Sequence, residues 1–162
     1  MSAASQPMPQ RIARITLDER TVLRRSAAIE GERAAAITDL LDDNNFTPLS
    51  GRAGPFQLHL AIEENRLVME IRAAADGSSE SIVLPLAPFR RIVKDYFLVC
   101  ESYYEAIRDK SLNQVEAIDV GRRSLHDEGS ELLTERLAGK AAIDHDTARR
   151  LFTLICVLHL RS

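Results

Sequence analysis

The chain has 162 residues, a formal net charge of −3 and 45% hydrophobic residues, which is typical of one soluble domain with a sizeable core. Proteins that wrap duplex nucleic acid or lie on anionic membranes need an excess of basic residues, so we expect neither partner. The longest apolar run, Leu151 to Leu160, is about half of a membrane span, and the opening MSAASQPMPQ lacks the features of a signal peptide. We therefore expect a cytoplasmic protein with a disordered tail over residues 1–10 and a single domain over residues 11–162.

The first third of the chain predicts a strand, a helix and a loop. Residues 11–18 resemble a short strand. From Ile29 to Asp43, apolar residues recur at spacings of three and four, which predicts a helix. Asn44 and Asn45 are expected to end that helix, because asparagine tolerates the left-handed conformation. Residues 46–55 contain two glycines and two prolines and predict a loop.

The middle of the chain carries the clearest strand pattern. Residues 56–63, 67–71 and 82–86 each alternate between apolar and mostly polar side chains. Glu64-Asn65 and Asp76-Gly77 supply the turns, the second of which is a strong hairpin signal. These segments predict a three-stranded antiparallel meander, to which residues 11–18 add a possible fourth strand.

Everything after Pro88 is predicted to be helical. A wide apolar stripe follows Pro88 as far as Ile107. Ser111 and Gln114 form the pattern of a capping box for a second helix, which runs to about Ala138 and stops at Gly139. Gly121 and Gly129 within that helix predict a bend or the close approach of another backbone.

The last helix is predicted to begin after Asp144 and is apolar nearly all round, so it is either central or faces another subunit. The expected fold class is α+β: an antiparallel three- to four-stranded meander covered by one N-terminal helix and a three-helix C-terminal layer. Cys100 and Cys156 lie in apolar helical stretches, so we expect buried reduced thiols.

Four long segments resemble a family of uncharacterised bacterial proteins, uncharacterised protein family 0262. They are ERAAAITDLLDDNNF (32–46), PFRRIVKDYFLVCESYYEAI (88–107), EAIDVGRRSLHDEGSELL (116–133) and DHDTARRLFTLICVLH (144–159). The resemblance covers the chain from about Arg11 to its end. It implies no activity, cofactor or catalytic residue.

Positive charge is carried mostly by arginine, with 18 arginines against three lysines. Eight of the arginines form adjacent pairs, at 24–25, 90–91, 122–123 and 149–150. Arginine presents a planar fork of donors that suits carboxylate or phosphate. The pairs therefore indicate fixed ion contacts.

Two clusters are candidates for binding a small anion. In the first, His126 shares a helix face with Arg122 and Arg123, where a histidine and two arginines could hold a phosphate or carboxylate. The simpler interpretation is that Asp119 pairs with Arg123 on a solvated face. In the second, Arg90, Arg91 and Lys94 crowd the first turns of a helix, where the dipole is already positive. An external anion would compensate them, as would internal carboxylates from Asp95 or the Asp42-Asp43 end of the first helix.

Other patterns carry less functional weight. Asp144-His145-Asp146 resembles a fragment of a metal site, but adjacent ligands at a helix start point apart, so no metal is expected. Tyr96, Phe97, Tyr103 and Tyr104 lie on an apolar stripe, which favours core packing over base stacking. No nucleophile elbow, phosphate-binding glycine loop or dinucleotide fingerprint is present, and no cofactor is expected.

The sequence therefore favours a small non-enzymatic protein that binds a partner, either a second copy of itself as a homodimer or another protein. The alternative is an enzyme or sensor for a small anion, built from Arg90, Arg91, Lys94, Arg122, Arg123 and His126. Binding of structured RNA by the arginine pairs is the third and weakest interpretation.

Overall fold

The computed structural model describes residues 10–19, 27–109 and 111–159. Their elements, in chain order, are β1 (Ile12–Leu17), α1 (Ala27–Asp42), β2 (Phe46–Pro48), β3 (Phe56–Glu63), β4 (Arg66–Ala73), β5 (Ser79–Pro85), α2 (Ala87–Asp109), α3 (Leu112–Leu137), β6 (Ala141–Ile143) and α4 (His145–His159). The predicted α+β class is confirmed. The predicted tail falls on residues 1–9, outside the described residues, and on Gln10, whose side chain hydrogen-bonds Arg52 and Gly54.

The main sheet has the strand order β1-β3-β4-β5. Strands β3, β4 and β5 form the predicted antiparallel meander, and β1 adds the fourth strand. The expectation of an all-antiparallel sheet was wrong, because β1 pairs parallel to β3. A parallel neighbour requires a crossover that returns the chain to the same end of the sheet, and α1 lies in the connection between these two strands.

Both meander turns lie where the sequence placed them. Glu64 and Asn65 have φ angles of 50° and 64°, the left-handed pair that a tight two-residue hairpin requires. Gly77 has a φ of 72°, and Asp76 accepts hydrogen bonds from the backbone and side chain of Ser78. The alternating residues therefore keep their register, and one face of the sheet is buried.

A second, two-stranded sheet was missed in the sequence. Strand β2 pairs antiparallel with β6, with Phe46 opposite Ile143 and Pro48 opposite Ala141. The prediction of a loop throughout residues 46–55 was therefore wrong, as was an entirely helical chain after Pro88. Strands of three residues are too short to show a period, and their partners lie far apart in sequence.

Asn44 ends α1 by a different mechanism from the one predicted. Neither Asn44 nor Asn45 has a positive φ. The Asn44 side chain is buried, accepts a hydrogen bond from the Ile12 amide at 2.7 Å, and donates to the carbonyls of Ile12 at 2.9 Å and Leu40 at 2.7 Å. It thereby joins the end of α1 to the first residue of β1.

Helices α2 and α3 form a long antiparallel hairpin that packs against α4 at one end. The predicted capping box of Ser111 and Gln114 is confirmed, and Gly139 follows α3 with a φ of 85°. Gly129 faces the Phe152 ring, to which a Cβ atom would come within 2.2 Å. The close approach at Gly129 thus involves a side chain, whereas nothing lies within 4 Å of a Cβ at Gly121.

Helix α4 lies at the centre of the molecule, one of the two positions that the sequence allowed it. Residues 151–158 are all buried. One cluster of buried apolar side chains includes residues from all ten elements. Cys100 and Cys156 are buried and free, as predicted. None of the helices in the described part of the chain combines the length and apolarity needed to cross a membrane.

Candidate anion-binding cleft

A cleft of about 270 Å³ opens between α1 and the C-terminal helices. It is held in place by contacts between the end of α1 and the start of α4. The Asn45 amide donates to Thr147 Oγ1 at 2.9 Å, and its side chain donates to Asp144 at 2.8 Å. Asp144 also accepts from the Thr147 amide at 3.0 Å, which confirms it as the cap of α4. The lining residues are Glu32, Ala35, Ala36, Asp39, Tyr96, Arg122, Arg123, His126, Asp146, Arg149, Arg150 and Thr153.

Helix α3 contributes two arginines that share one carboxylate. Arg122 donates from Nε and Nη2 to Asp119 Oδ1 at 3.0 and 2.7 Å. Arg123 lies 3.2 Å from the other oxygen of Asp119. The predicted pair of Asp119 and Arg123 is therefore confirmed, with Arg122 added. Because one carboxylate serves two guanidinium groups, this part of the cleft keeps net positive charge.

Helix α4 contributes the other two arginines. Arg149 Nε donates to His126 Nδ1 at 3.4 Å and lies 3.9 Å from an oxygen of Asp127. Arg150 differs from the other three, because its Nη1 atom is buried and makes no hydrogen bond within the described residues. A buried donor without an acceptor costs roughly 1–3 kcal/mol. Arg150 thus lines the cleft, while its Nη1 atom is buried without a hydrogen-bond acceptor among the described residues.

His126 lines the cleft, is buried, and makes a hydrogen bond through each of its two ring nitrogens. Nδ1 accepts from Arg149, so Nε2 carries the proton and donates to Thr153 Oγ1 at 2.7 Å. Thr153 in turn donates to the Arg149 carbonyl at 3.2 Å. Burial, and then the charge of Arg149, lower the pKa of His126 to about 4. The imidazole is therefore neutral at neutral pH and orients Arg149.

The wall formed by α1 is acidic. Glu32, Ala35, Ala36 and Asp39 lie at spacings of three and four, so they share one helix face. Glu32 accepts a hydrogen bond from the Tyr104 hydroxyl at 2.7 Å. Burial, with this hydrogen bond, raises the pKa of Tyr104, so the hydroxyl keeps its proton. The two alanines between the acids leave the space that the cleft occupies.

The six residues selected from the sequence separate into two groups. Arg122, Arg123 and His126 line the cleft. Arg91 is instead ion-paired, 3.6 Å from Asp95 and 3.2 Å from Glu128. Arg90 and Lys94 line a different groove, together with Phe97 and His159. The sequence clusters at 90–94 and 122–126 do not meet in one site.

Several cleft residues carry no site signal in the sequence. Arg149 and Arg150 form an adjacent pair with no histidine or glycine next to it, and the pair Arg24-Arg25 lies outside the described residues. Glu32 and Asp39 fit the pattern of a helix and nothing more specific. The spacing of small and acidic residues on α1 was the available signal, but nothing in the sequence states that this face lies opposite α4.

The side chains of Asp144, His145 and Asp146 do not come together in a metal site. Asp144 caps α4, while His145 Nε2 lies 3.8 Å from Asp127. Across residues 10–19, 27–109 and 111–159, no three His, Cys, Asp or Glu side chains converge in a way that could hold a metal ion.

Fold and cleft together define a class: a small α+β protein with a mixed four-stranded sheet and a cleft where four arginines face three carboxylates. Residues 9–161 match the model of the Uncharacterised protein family (UPF0262), and the chain belongs to this family. The resemblance noted in the sequence is confirmed, and the family has no established function.

Relatives are bacterial proteins of similar length. A UPF0262 protein of Rhodospirillum rubrum is 58% identical over 91% of both chains. Relatives from Azorhizobium caulinodans and Paramagnetospirillum magneticum are 55% and 52% identical, over 94% and 96% of this chain and 96% and 99% of their own. No solved structure matches this fold.

Proposed function

We propose that the cleft binds a small anion through a phosphate or carboxylate group, and that this binding is the function of the protein. The observation that carries the proposal is the gathering of four arginines, Arg122, Arg123, Arg149 and Arg150, around one cleft. An anion in the cleft would accept charge-assisted hydrogen bonds from these guanidinium groups, and such bonds are among the strong ones.

The four arginines have unequal parts in this proposal. Arg150 is the principal ligand because it lines the cleft and, unlike the other three arginines, forms no ion pair within the described residues. Arg149 is a second ligand, held in orientation by His126. Arg122 and Arg123 supply charge, reduced by their shared carboxylate on Asp119. Of the residues selected from the sequence, the proposal retains Arg122, Arg123 and His126.

Calorimetric titration of the full chain with phosphate, sulfate and small carboxylates tests the proposal. We expect at least one of these anions to bind, and Arg150→Ala to weaken its binding by about tenfold or more, equivalent to about 1.4 kcal/mol. Arg136→Ala is the matched control, because Arg136 is exposed on the same helical layer and does not line the cleft. No heat at millimolar concentrations, or equal loss in both variants, would contradict the proposal.

A second candidate function, self-association, is favoured by a separate observation. Near the turn of the α2–α3 hairpin, Ile107 and Leu112 are 53% and 71% exposed, and Val120 is 58% exposed. A second copy of the chain that packs on this end would bury all three, and burial of apolar area drives association. The homodimer expected from the sequence is therefore retained as a proposal.

Light scattering on the full chain tests the dimer. We expect a dimer mass for the unaltered protein and a monomer mass for Leu112→Glu. Asn113→Glu adds the same charge at the next, exposed position and should leave the mass unchanged. A monomer before any substitution would remove this candidate and leave the anion proposal unaffected.

A further inference from the structure

The main sheet has an open edge at β5. This strand is the last in the order β1-β3-β4-β5, so among the described strands it pairs with β4 alone. The Ser78 carbonyl faces β4, since it accepts a hydrogen bond from the Ala73 amide at 2.8 Å. The Ser79 carbonyl points the other way, since it accepts from Arg52 Nη2 at 3.0 Å. Backbone groups of successive residues alternate between the two edges of a strand, so the odd-numbered residues of β5 face outward.

Two successive outward-facing residues, Ser81 and Val83, offer their backbone groups to a partner. Both are exposed, and none of the described residues hydrogen-bonds the N–H and C=O groups that they direct away from β4. Natural edge strands are commonly blocked by a bulge, a lysine or a covering element. Strand β5 pairs with β4 without a shift in register and contains no lysine. Its central section is therefore a template for one further strand.

This edge borders a groove of about 350 Å³ that is also lined by the end of the two-stranded sheet. There the Leu49 amide donates to the Lys140 carbonyl at 2.9 Å, which continues the pairing of β2 with β6. Leu49 and Val83, which both line the groove, are 58% and 41% exposed. Two exposed apolar side chains thus accompany the open backbone, and burial of their surface would drive association.

The charge that the groove leaves uncompensated is positive. Glu80 lines the groove, but its carboxylate lies 2.9 Å from Arg52 Nε and accepts a hydrogen bond from Ser50. Lys140 is exposed and has no carboxylate within ion-pair distance among the residues that the structure describes. A partner that carries an acidic side chain at this point therefore complements the groove, and a basic partner is disfavoured.

We infer that β5 binds an extended peptide segment of a partner protein as an additional strand, with an acidic side chain of the peptide next to Lys140. The peptide backbone exchanges hydrogen bonds with Ser81 and Val83, which supplies affinity, and its alternate side chains cover Val83 and Leu49, which supplies selectivity. A single strand suits a groove better than the edge of a folded sheet does, because a folded sheet brings further strands toward the side lined by Leu49. The groove shares no lining residue with the anion-binding cleft, so this inference is independent of the anion proposal.

Peptide selection on the full chain tests this inference. A display library of random short peptides is panned against the protein, and synthetic copies of the selected peptides are titrated by fluorescence anisotropy. We expect them to carry an acidic residue and to alternate between apolar and polar side chains. Each peptide is then N-methylated at alternate amides, in one register or in the other. Because only one set of amides faces β5, one version should bind about tenfold more weakly or worse and the other should bind as the parent peptide does.

Variants of the protein give a second readout with matched controls. Val83→Pro removes an outward N–H group without removing a hydrogen bond to β4, so it should weaken peptide binding by about tenfold or more. Lys140→Glu should weaken binding of an acidic peptide by about fivefold. Lys94→Glu makes the same change in charge in a different groove and should leave the affinity unchanged.

Several results would overturn the inference. One is a panning experiment that selects no peptide, and another is equal weakening by both N-methylation registers. Selected peptides whose affinity is insensitive to both Val83→Pro and Lys140→Glu bind elsewhere and also exclude it. If light scattering shows a dimer that Val83→Pro converts to a monomer, the edge is occupied by a second copy of the chain instead of a peptide.

Discussion

The two ends of the α2–α3 hairpin differ sharply although the same two helices form both. The base of the hairpin, defined as Ala87–Cys100 with His126–Leu137, contributes ten buried residues to the interior. The distal part, defined as Glu101–Asp109 with Leu112–Leu125, contributes only Ala106 among the described residues. Helix α4 packs against the base, and the cleft lies where the base meets the distal part.

A helical pattern thus predicts a helix without predicting how buried its residues are. Ile107, Leu112 and Val120 are as apolar as many buried residues at the base, yet more than half of each is exposed. Stability should therefore respond strongly to changes at the base and weakly, or in the opposite direction, to changes in the distal part.

The largest effect is expected when the aromatic side chain that α4 packs against the base is removed. Phe152 is fully buried and packs edge-on against Tyr96 and His126, with ring centroids 6.0 and 5.6 Å away. Phe152→Ala should lower the free energy of unfolding by about 4 kcal/mol, since it leaves a cavity at the centre of the molecule. Tyr103→Ala in the distal part should cost only about 1 kcal/mol. Urea unfolding measures both, and equal losses would refute the proposed difference between the two ends.

The next effect follows from adding a single methyl group at the base. A Cβ at position 129 would lie 2.2–2.5 Å from three ring atoms of Phe152, which has no room to move because it is fully buried. Gly129→Ala should therefore lower the free energy of unfolding by about 2 kcal/mol, despite the better helix propensity of alanine. The double variant Gly129→Ala/Phe152→Leu should be more stable than the sum of the two single changes predicts. Simple additivity in urea unfolding would contradict the clash.

The base should also respond to pH through His126. Its pKa is lowered from 6.5 to about 4 in the folded protein, first by burial and then by Arg149. Between about pH 6.5 and pH 4, His126 is therefore protonated in the unfolded chain but not in the folded protein. The contribution of His126 to the free energy of unfolding is full above this range and falls as the pH is lowered through it. Between pH 7.5 and pH 5 the loss should be about 2 kcal/mol.

The groups that face His126 are Arg149, Asp127, Arg122 and His145, of which Asp127 alone favours the charged form. His126→Asn should remove most of this pH dependence in urea unfolding curves and lower stability at neutral pH. If the variant and the unaltered protein lose stability in parallel between pH 7.5 and pH 5, His126 is not the group responsible.

The sequence could predict what local patterns determine. The meander, the four helices, the capping box at Ser111 and the Asp144 cap all rest on residues within a few positions of one another. It could not predict the parallel pairing of β1 or the β2–β6 sheet, since their partners are distant in the chain and the β2 and β6 strands are too short to show alternation.

Only the cleft residues that lie close together in sequence could be predicted as one group. Arg122, Arg123 and His126 lie close together in sequence, so their shared face could be read from helical spacing. Arg150, Asp39 and Asp146 join them only because the end of α1 is tied to the start of α4 through Asn45 and Thr147. No local sequence pattern predicts this contact between α1 and α4. The cluster at 90–94, which the sequence groups with the same candidate site, lines a different groove in the structure.

The smallest predicted effect has the opposite sign and lies in the distal part. Gly121 is the counterpart of Gly129 in the same helix, but nothing lies within 4 Å of a Cβ built at Gly121. Gly121→Ala should therefore raise the free energy of unfolding by about 0.5–1 kcal/mol, because alanine restricts the unfolded chain and favours the helix. Urea unfolding of the Gly121→Ala and Gly129→Ala variants side by side uses each as the control for the other. If both substitutions destabilised the protein, the distal part would have to be packed against something, and a second copy of the chain on Leu112 and Val120 would be the explanation to test first by light scattering.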